Sequence, residues 1–154
     1  MLYQLENLKN EEKELILNAP AYVTILIAGA DDDISDAEIK RSLELVKIKT
    51  FSEPVSIREI YGEIESDFNT RLNQLILELP KTLEERENQV IDKLSGLNKI
   101  WPKMNEKDAH RYYVSLLGFA TQIAKAAGGV LGFESVSPRE ERFVKLPMIN
   151  DPKA

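Results

Sequence analysis

Five carboxylates, Asp31, Asp32, Asp33, Asp36 and Glu38, fall within eight residues that follow the apolar run AYVTILIAGA. Close like charges repel unless something neutralises them. If the apolar run is a helix, the aspartates also meet its negative pole, where a free carboxylate is unfavourable and a cation favourable. Hard divalent ions such as Ca²⁺ and Mg²⁺ take oxygen ligands from carboxylates and backbone carbonyls, so holding such an ion is the chemistry this turn suits. The spacing Asp31-x-Asp33-x-Ser35 begins like an EF-hand loop. However, Asp36 replaces the required glycine, and Ser42 stands where a bidentate glutamate belongs. A plainer reading stands beside the cation site. Asp33, Asp36 and Glu38 surround a helix start, where capping and the helix dipole stabilise carboxylates. Capping accounts for Glu38, and for Glu140 further on, but less well for Asp31 and Asp32, which precede the cap. The residues alone leave both a cation site and a solvated acidic turn open.

Little else in the chain offers chemistry. There is no cysteine, which excludes disulfides, thiolate metal sites and thiol catalysis. The single histidine, His110, has no second histidine with which to build a transition-metal or nucleophilic site, and reads as a helix-surface or hydrogen-bonded structural residue. Trp101, before Pro102, reads as a cap on the core at a helix end. Gly128-Gly129 with Gly132 lacks the lysine and Ser/Thr of a phosphate loop and reads as a helix C-cap. Arg139, Arg142 and Lys145 read as a solvated face of the last helix. No feature buries one acid selectively to split the pKa values of a catalytic pair, so no enzymatic activity is expected. The net charge of −6 has the wrong sign for holding a phosphate backbone, so no nucleic-acid partner is expected.

The elements that must position the acidic turn are helical. Ile57, Ile60, Ile64, Phe68, Leu72, Leu75, Ile76 and Leu79 recur at three- and four-residue steps, which predicts one long or gently broken helix from Ser56 to Leu79, stopped by Pro80. Thr82 starts another, carrying Val90, Ile91, Leu94, Leu97 and Ile100 until Pro102. Asn105 to Ala127 is apolar on every side and reads as the central buried helix, with Gly118 allowing a close crossing. Ser35, Ser56, Thr82 and Ser137 each begin a Ser/Thr-x-x-Glu capping box, and Pro20 and Pro138 suit the first position of a helix. The competing reading makes Tyr22 to Ala28 a buried strand, since ILIAGADDD is similar to the first strand and acidic pair of a receiver domain. That fold needs four more parallel strands, which the chain does not offer. The expectation is therefore all-α: one domain over residues 1–154, a compact bundle of about six or seven helices, with the tail after Pro147 frayed.

The halves also repeat. Ile27-Ala-Gly-Ala-Asp31, leading to Ile34-Ser35-Asp-Ala-Glu38, is echoed by Ile123-Ala-Lys-Ala-Ala127, a longer loop and Val136-Ser137-Pro-Arg-Glu140. Such a repeat implies two helical hairpins related by a pseudo-twofold. The stretch Ala30-Asp-Asp-Asp-Ile-Ser-Asp-Ala-Glu38 resembles the Ala-Asp-Gly-x-Ile-Ser-x-x-Glu signature of the TerB-like tellurite-resistance domain. The resemblance implies an all-helical, internally duplicated fold that binds divalent metal through the acids of its repeated turns, in a stress-response setting. It matches Asp31 and Glu38 to the acidic positions of the first corner and Glu140 to the glutamate of the second. Asp32 stands where the family prefers glycine, and Ala127 where the second aspartate belongs; Glu134 or Glu141 could substitute there. The expected ligand set is Asp31, Asp33, Glu38 and Glu140 around Ca²⁺ or Mg²⁺, in a non-enzymatic domain. The alternative is a helical scaffold for a protein partner with no metal site. The amino terminus lacks a secretory pattern and the longest apolar run is too short to span a bilayer, so a cytoplasmic setting with no membrane insertion is expected.

Overall fold

Three- and four-residue apolar steps become helices throughout. The computed structural model describes residues 2–29, 34–128 and 138–153. Seven α-helices are seen among them: α1 (Asn10–Ala28), α2 (Asp36–Ser52), α3 (Val55–Glu78), α4 (Leu83–Ser95), the short α5 (Leu97–Ile100), α6 (Glu106–Gly128) and α7 (Pro138–Phe143). Single 3-10 turns cover Tyr3–Leu5 and Trp101–Lys103, and no strand occurs among the described residues. The all-α expectation holds, and Tyr22 to Ala28 are helical.

The central helix is α1, which corrects the assignment of that place to the segment from Asn105. Every residue from Ala19 to Ala28 is buried. The helix packs against α2, α3, α4, α5, α6 and α7. A helix enclosed on all sides can be apolar all round, which is why its Val, Thr and Ile content looks strand-like in the sequence. By contrast α6 is amphipathic. It buries Ala109, Tyr112, Leu116, Phe119, Ala120, Ile123 and Ala124 while leaving Arg111, Val114 and Gly118 exposed.

Pro20 lies inside α1 and not at its start, a second correction. An internal proline removes the N–H that would serve the carbonyl four residues back. Here that carbonyl belongs to Ile16, and the Tyr112 hydroxyl of α6 donates to it at 2.6 Å. The fold therefore supplies from another helix the donor that the sequence deleted. The turn after the proline is closed locally, with the Thr24 hydroxyl donating to the Pro20 carbonyl at 2.8 Å.

The capping pattern holds in part. The Ser35 box forms, and Pro138 opens α7 as expected. Thr82 takes the N-cap position of α4 without a side-chain cap bond. Ser56 is no cap: α3 begins at Val55 over Pro54, whose carbonyl accepts from Ile57 and Arg58 N–H, both at 2.9 Å. Ser137 lies outside the described residues. Two starts carry caps of another kind: the Glu12 carboxylate accepts from Lys9 N–H at 2.8 Å, and Asn105 Oδ1 accepts from Lys107 and Asp108 N–H. The break foreseen in the long helix falls at Asp67 (φ −141°, ψ 20°), whose carboxylate pairs with Arg71 at 2.8 Å. Leu79 turns extended ahead of Pro80, as a residue before proline must.

Gly118 does not mediate a helix crossing. It faces solvent, and a Cβ added there would meet only Lys49 Nζ, at 4.0 Å. Glycine in an exposed helix interior costs up to about 1 kcal/mol relative to alanine. Gly118→Ala is therefore expected to raise the thermal midpoint by roughly 2–3 °C. A scanning calorimetry trace showing a fall would mean that the position carries a constraint besides helix propensity.

The tail is packed and not loose, a further correction. Leu146 and Ile149 are buried, 0% and 3% exposed, and Asn98 of α5 and Trp101 of the following 3-10 turn bond the backbone carbonyls of Met148 and Asn150. The second corner of the internal repeat, residues 129–137, lies outside the described residues; its flanking helices α6 and α7 both pack on α1.

Candidate functional site

The first acidic corner lies between the end of α1 and the start of α2. At the end of α1, the Gly29 N–H still closes onto Ile25, while its carbonyl accepts from the Arg86 guanidinium of α4 at 2.9 Å. A cation is thus fixed at the negative pole of the central helix, where positive charge is stabilising. Arg86 lies so close that a Cβ on residue 29 would come within 3.1 Å of its Nη2, so a larger residue there would make the guanidinium shift by a few tenths of an ångström. On the other side of the corner, Ser35 and Glu38 form a reciprocal cap. Glu38 Oε1 accepts from Ser35 N–H at 3.2 Å and from its hydroxyl at 2.8 Å, and Ser35 Oγ accepts from Glu38 N–H at 3.2 Å. Glu38 is only 4% exposed, an unusual place for a carboxylate-bearing residue. Burial of that charge is offset by the cap bonds and the positive end of α2.

The expected ligands divide as follows. Glu38 is placed at the root of the acidic turn and oriented by its cap. Asp31 and Asp33 lie outside the described residues, together with Asp32 and Glu134. Glu140 falls in the first turn of α7, its side chain outside what is described, and Glu141 on the same helix is exposed. Among the described residues no group of three or more acids or histidines is arranged to hold a metal. Arg86 was not foreseen. It lies 57 residues from Gly29 and nothing in its local sequence connects the two.

Other polar clusters serve the packing. The Glu53 carboxylate accepts from Lys49 and Ser115, both at 2.7 Å, and Ser115 also lies 2.9 Å from the Tyr61 hydroxyl, which ties α2, α3 and α6 together. Burial pushes the Tyr61 phenol well up, so at neutral pH it is an uncharged hydrogen-bonding group. Arg71 spans α1 and α3, bonding Glu14 at 2.7 Å, Asp67 at 2.8 Å and Asn18 at 3.0 Å beside an open cavity of about 300 Å³. His110 is hydrogen-bonded to Asp151 at 3.1 Å, the structural role expected of it. Trp101 caps the core as expected, 6% exposed and edge-on to Tyr112 with ring centres 6.5 Å apart.

Comparison of the chain with protein-family models, with curated proteins and with solved structures gives no significant match. Among the described residues no helix is long and apolar enough to cross a membrane.

Proposed function

We propose that this chain is a non-enzymatic, TerB-like helical domain that binds a divalent cation, Ca²⁺ or Mg²⁺, at the corner between α1 and α2. Asp31, Asp33 and Glu38 supply oxygen ligands, and Glu140 is contributed from α7. The stress-response setting and the cytoplasmic location come with this reading. The observation that carries it is the buried Glu38 carboxylate, fixed by Ser35 at the start of α2, a few residues along the chain from the three aspartates. Preorganised carboxylates lose little freedom on binding an ion, and the chain's lack of cysteine leaves oxygen as the natural donor.

Titration with each metal tests the proposal. At about 100 times Kd, a bound ion adds roughly 2.7 kcal/mol of stability, a rise in melting temperature of about 5–10 °C. Asp31→Asn combined with Glu38→Gln is expected to abolish the rise while leaving the metal-free midpoint close to that of the parent, because glutamine also completes a capping box. No shift at millimolar metal would remove the cation from this reading.

One observation favours a second reading, a scaffold for a protein partner. Phe51 and Val55, at the α2–α3 junction, are 65% and 61% exposed. In that case Arg86 alone serves the end of α1, and capture of a partner from lysate is unchanged by chelator.

A further inference from the structure

The segment after α7 is held at three consecutive residues by side chains of the α5–α6 region. Asn98, on α5, grips the backbone on both sides of Ile149: its Nδ2 donates to the Met148 carbonyl at 3.0 Å, and its Oδ1 accepts from Asn150 N–H at 2.7 Å. Trp101 Nε1 donates to the Asn150 carbonyl at 3.0 Å. Between these clamps the Ile149 side chain is 3% exposed, and two residues on the Asp151 carboxylate meets His110 on α6. The Lys153 backbone N–H, and after it His110, hold that carboxyl below the usual carboxylate range, so it is an anion at neutral pH.

Side-chain amides that pair with both a peptide N–H and a peptide carbonyl recognise backbone, whatever the residue between them. With one apolar pocket and one histidine facing a carboxylate, the arrangement has the parts of a peptide-binding site: main-chain bonds for affinity, and side-chain pockets for selectivity. The groove is also larger than its occupant. A cavity of about 430 Å³, bordered by Trp101, Met104 and Glu106, stays open alongside Asn150 and Asp151. Where the segment leaves α7, Leu146 has φ +47°, a left-handed conformation that a residue with a Cβ adopts only at a cost.

We propose that the face formed by α5, the Trp101–Lys103 turn and the start of α6 is a peptide-recognition groove, and that residues 148–151 occupy it in cis. Its occupant in trans is a short peptide with an aliphatic residue followed two positions later by a carboxylate. This proposal is independent of the cation site.

The test uses a fluorescent peptide, Leu-Pro-Met-Ile-Asn-Asp-Pro-Lys-Ala, and the full chain carrying Ile149→Asp, which ejects its own segment. Fluorescence anisotropy is expected to show binding at least about tenfold tighter than to the unaltered chain, whose segment competes. Adding Asn98→Ala is expected to weaken it about tenfold, since both main-chain bonds are lost. A folded Ile149→Asp chain that ignores the peptide, or binding indifferent to Asn98→Ala, overturns the proposal. Hydrogen exchange on the unaltered chain gives a second test that needs no folded variant. The Asn150 amide is expected to exchange at least about tenfold faster than those of Phe119 and Ala120 in α6, because the segment opens without global unfolding. Equal protection of all three overturns the proposal.

Discussion

Replacing Tyr112 by phenylalanine is expected to destabilise the fold by about 1.5–3 kcal/mol, more than a single hydroxyl normally contributes. The reason lies in the preceding helix. Pro20 has no N–H for the Ile16 carbonyl, and the Tyr112 hydroxyl takes that place at 2.6 Å in a region where Ile16 and Tyr112 are both 0% exposed. Without the hydroxyl, the carbonyl is left buried with its proper donor missing. Tyr112→Ala adds a large cavity beside Tyr61 and Trp101, for a total of about 4–5 kcal/mol, or a fall in melting temperature of roughly 10–15 °C. The decisive variant is the combination of Pro20→Ala with Tyr112→Phe. Alanine restores the helical N–H, so the double variant should recover at least about 1 kcal/mol of the phenylalanine loss, a coupling that a double-mutant cycle in denaturant reads directly. Strictly additive effects would show that the hydroxyl is not the proline's substitute donor.

Alkali should unfold this protein cooperatively, with buried tyrosines as the cause. Burial pushes both the Tyr61 and Tyr112 phenols well above their ordinary value; Tyr61 is also raised by the nearby Glu53 charge, and Tyr112 by Tyr61. An unfolded tyrosine titrates near pH 10. Above that pH the unfolded chain releases two protons that the folded chain retains, so stability falls as pH rises. The contribution is complete below about pH 10 and declines above it by about 1.4 kcal/mol per pH unit for each phenol, about 2.7 for the pair. By pH 12 the loss is roughly 5 kcal/mol, comparable to the whole stability of a marginal domain. Tyrosinate absorbance and helical circular dichroism should therefore change together. Tyr61→Phe should lower the slope of stability against pH between 10 and 12 by about 1.4 kcal/mol per pH unit. Gradual ionisation of both buried phenols with helicity intact would contradict this account.

The two results bear on how far a sequence of this kind can be read. Helical character was legible because apolar spacing over Ile57 to Leu79 and Val90 to Ile100 is a local property, and the main chain follows it. Stops at Pro80 and the cap at Ser35 were legible for the same reason, since proline and Ser-x-x-Glu act within one turn. Ser56 shows the limit of local grammar. It carries the same pattern, but Pro54 starts the helix two residues earlier and leaves the Ser56 hydroxyl buried, with no hydrogen bond among the described residues. The interior place of Pro20 was illegible because the hydroxyl that serves the Ile16 carbonyl in its stead lies 96 residues beyond Ile16 along the chain.

For the candidate site, the sequence located the acidic corner and gave Glu38 a capping role that the geometry bears out. It could not supply Arg86, whose charge reaches the end of α1 only through the packing of α4 on α1. Nor did it foresee the packing of residues 146–151, because Asn98, Trp101 and His110 carry no periodic signal and converge on one segment only once α5 and α6 are in place. The sequence by itself determined the all-helical class and the place of the acidic residues between α1 and α2, since these depend on residue type and short spacing. The tertiary structure decided which helix is central, which hydroxyl repairs the proline, which guanidinium meets the helix dipole and where the final segment lies. Each of those is a contact between residues far apart in the chain, fixed by the mutual packing of helices and unmarked in the local sequence.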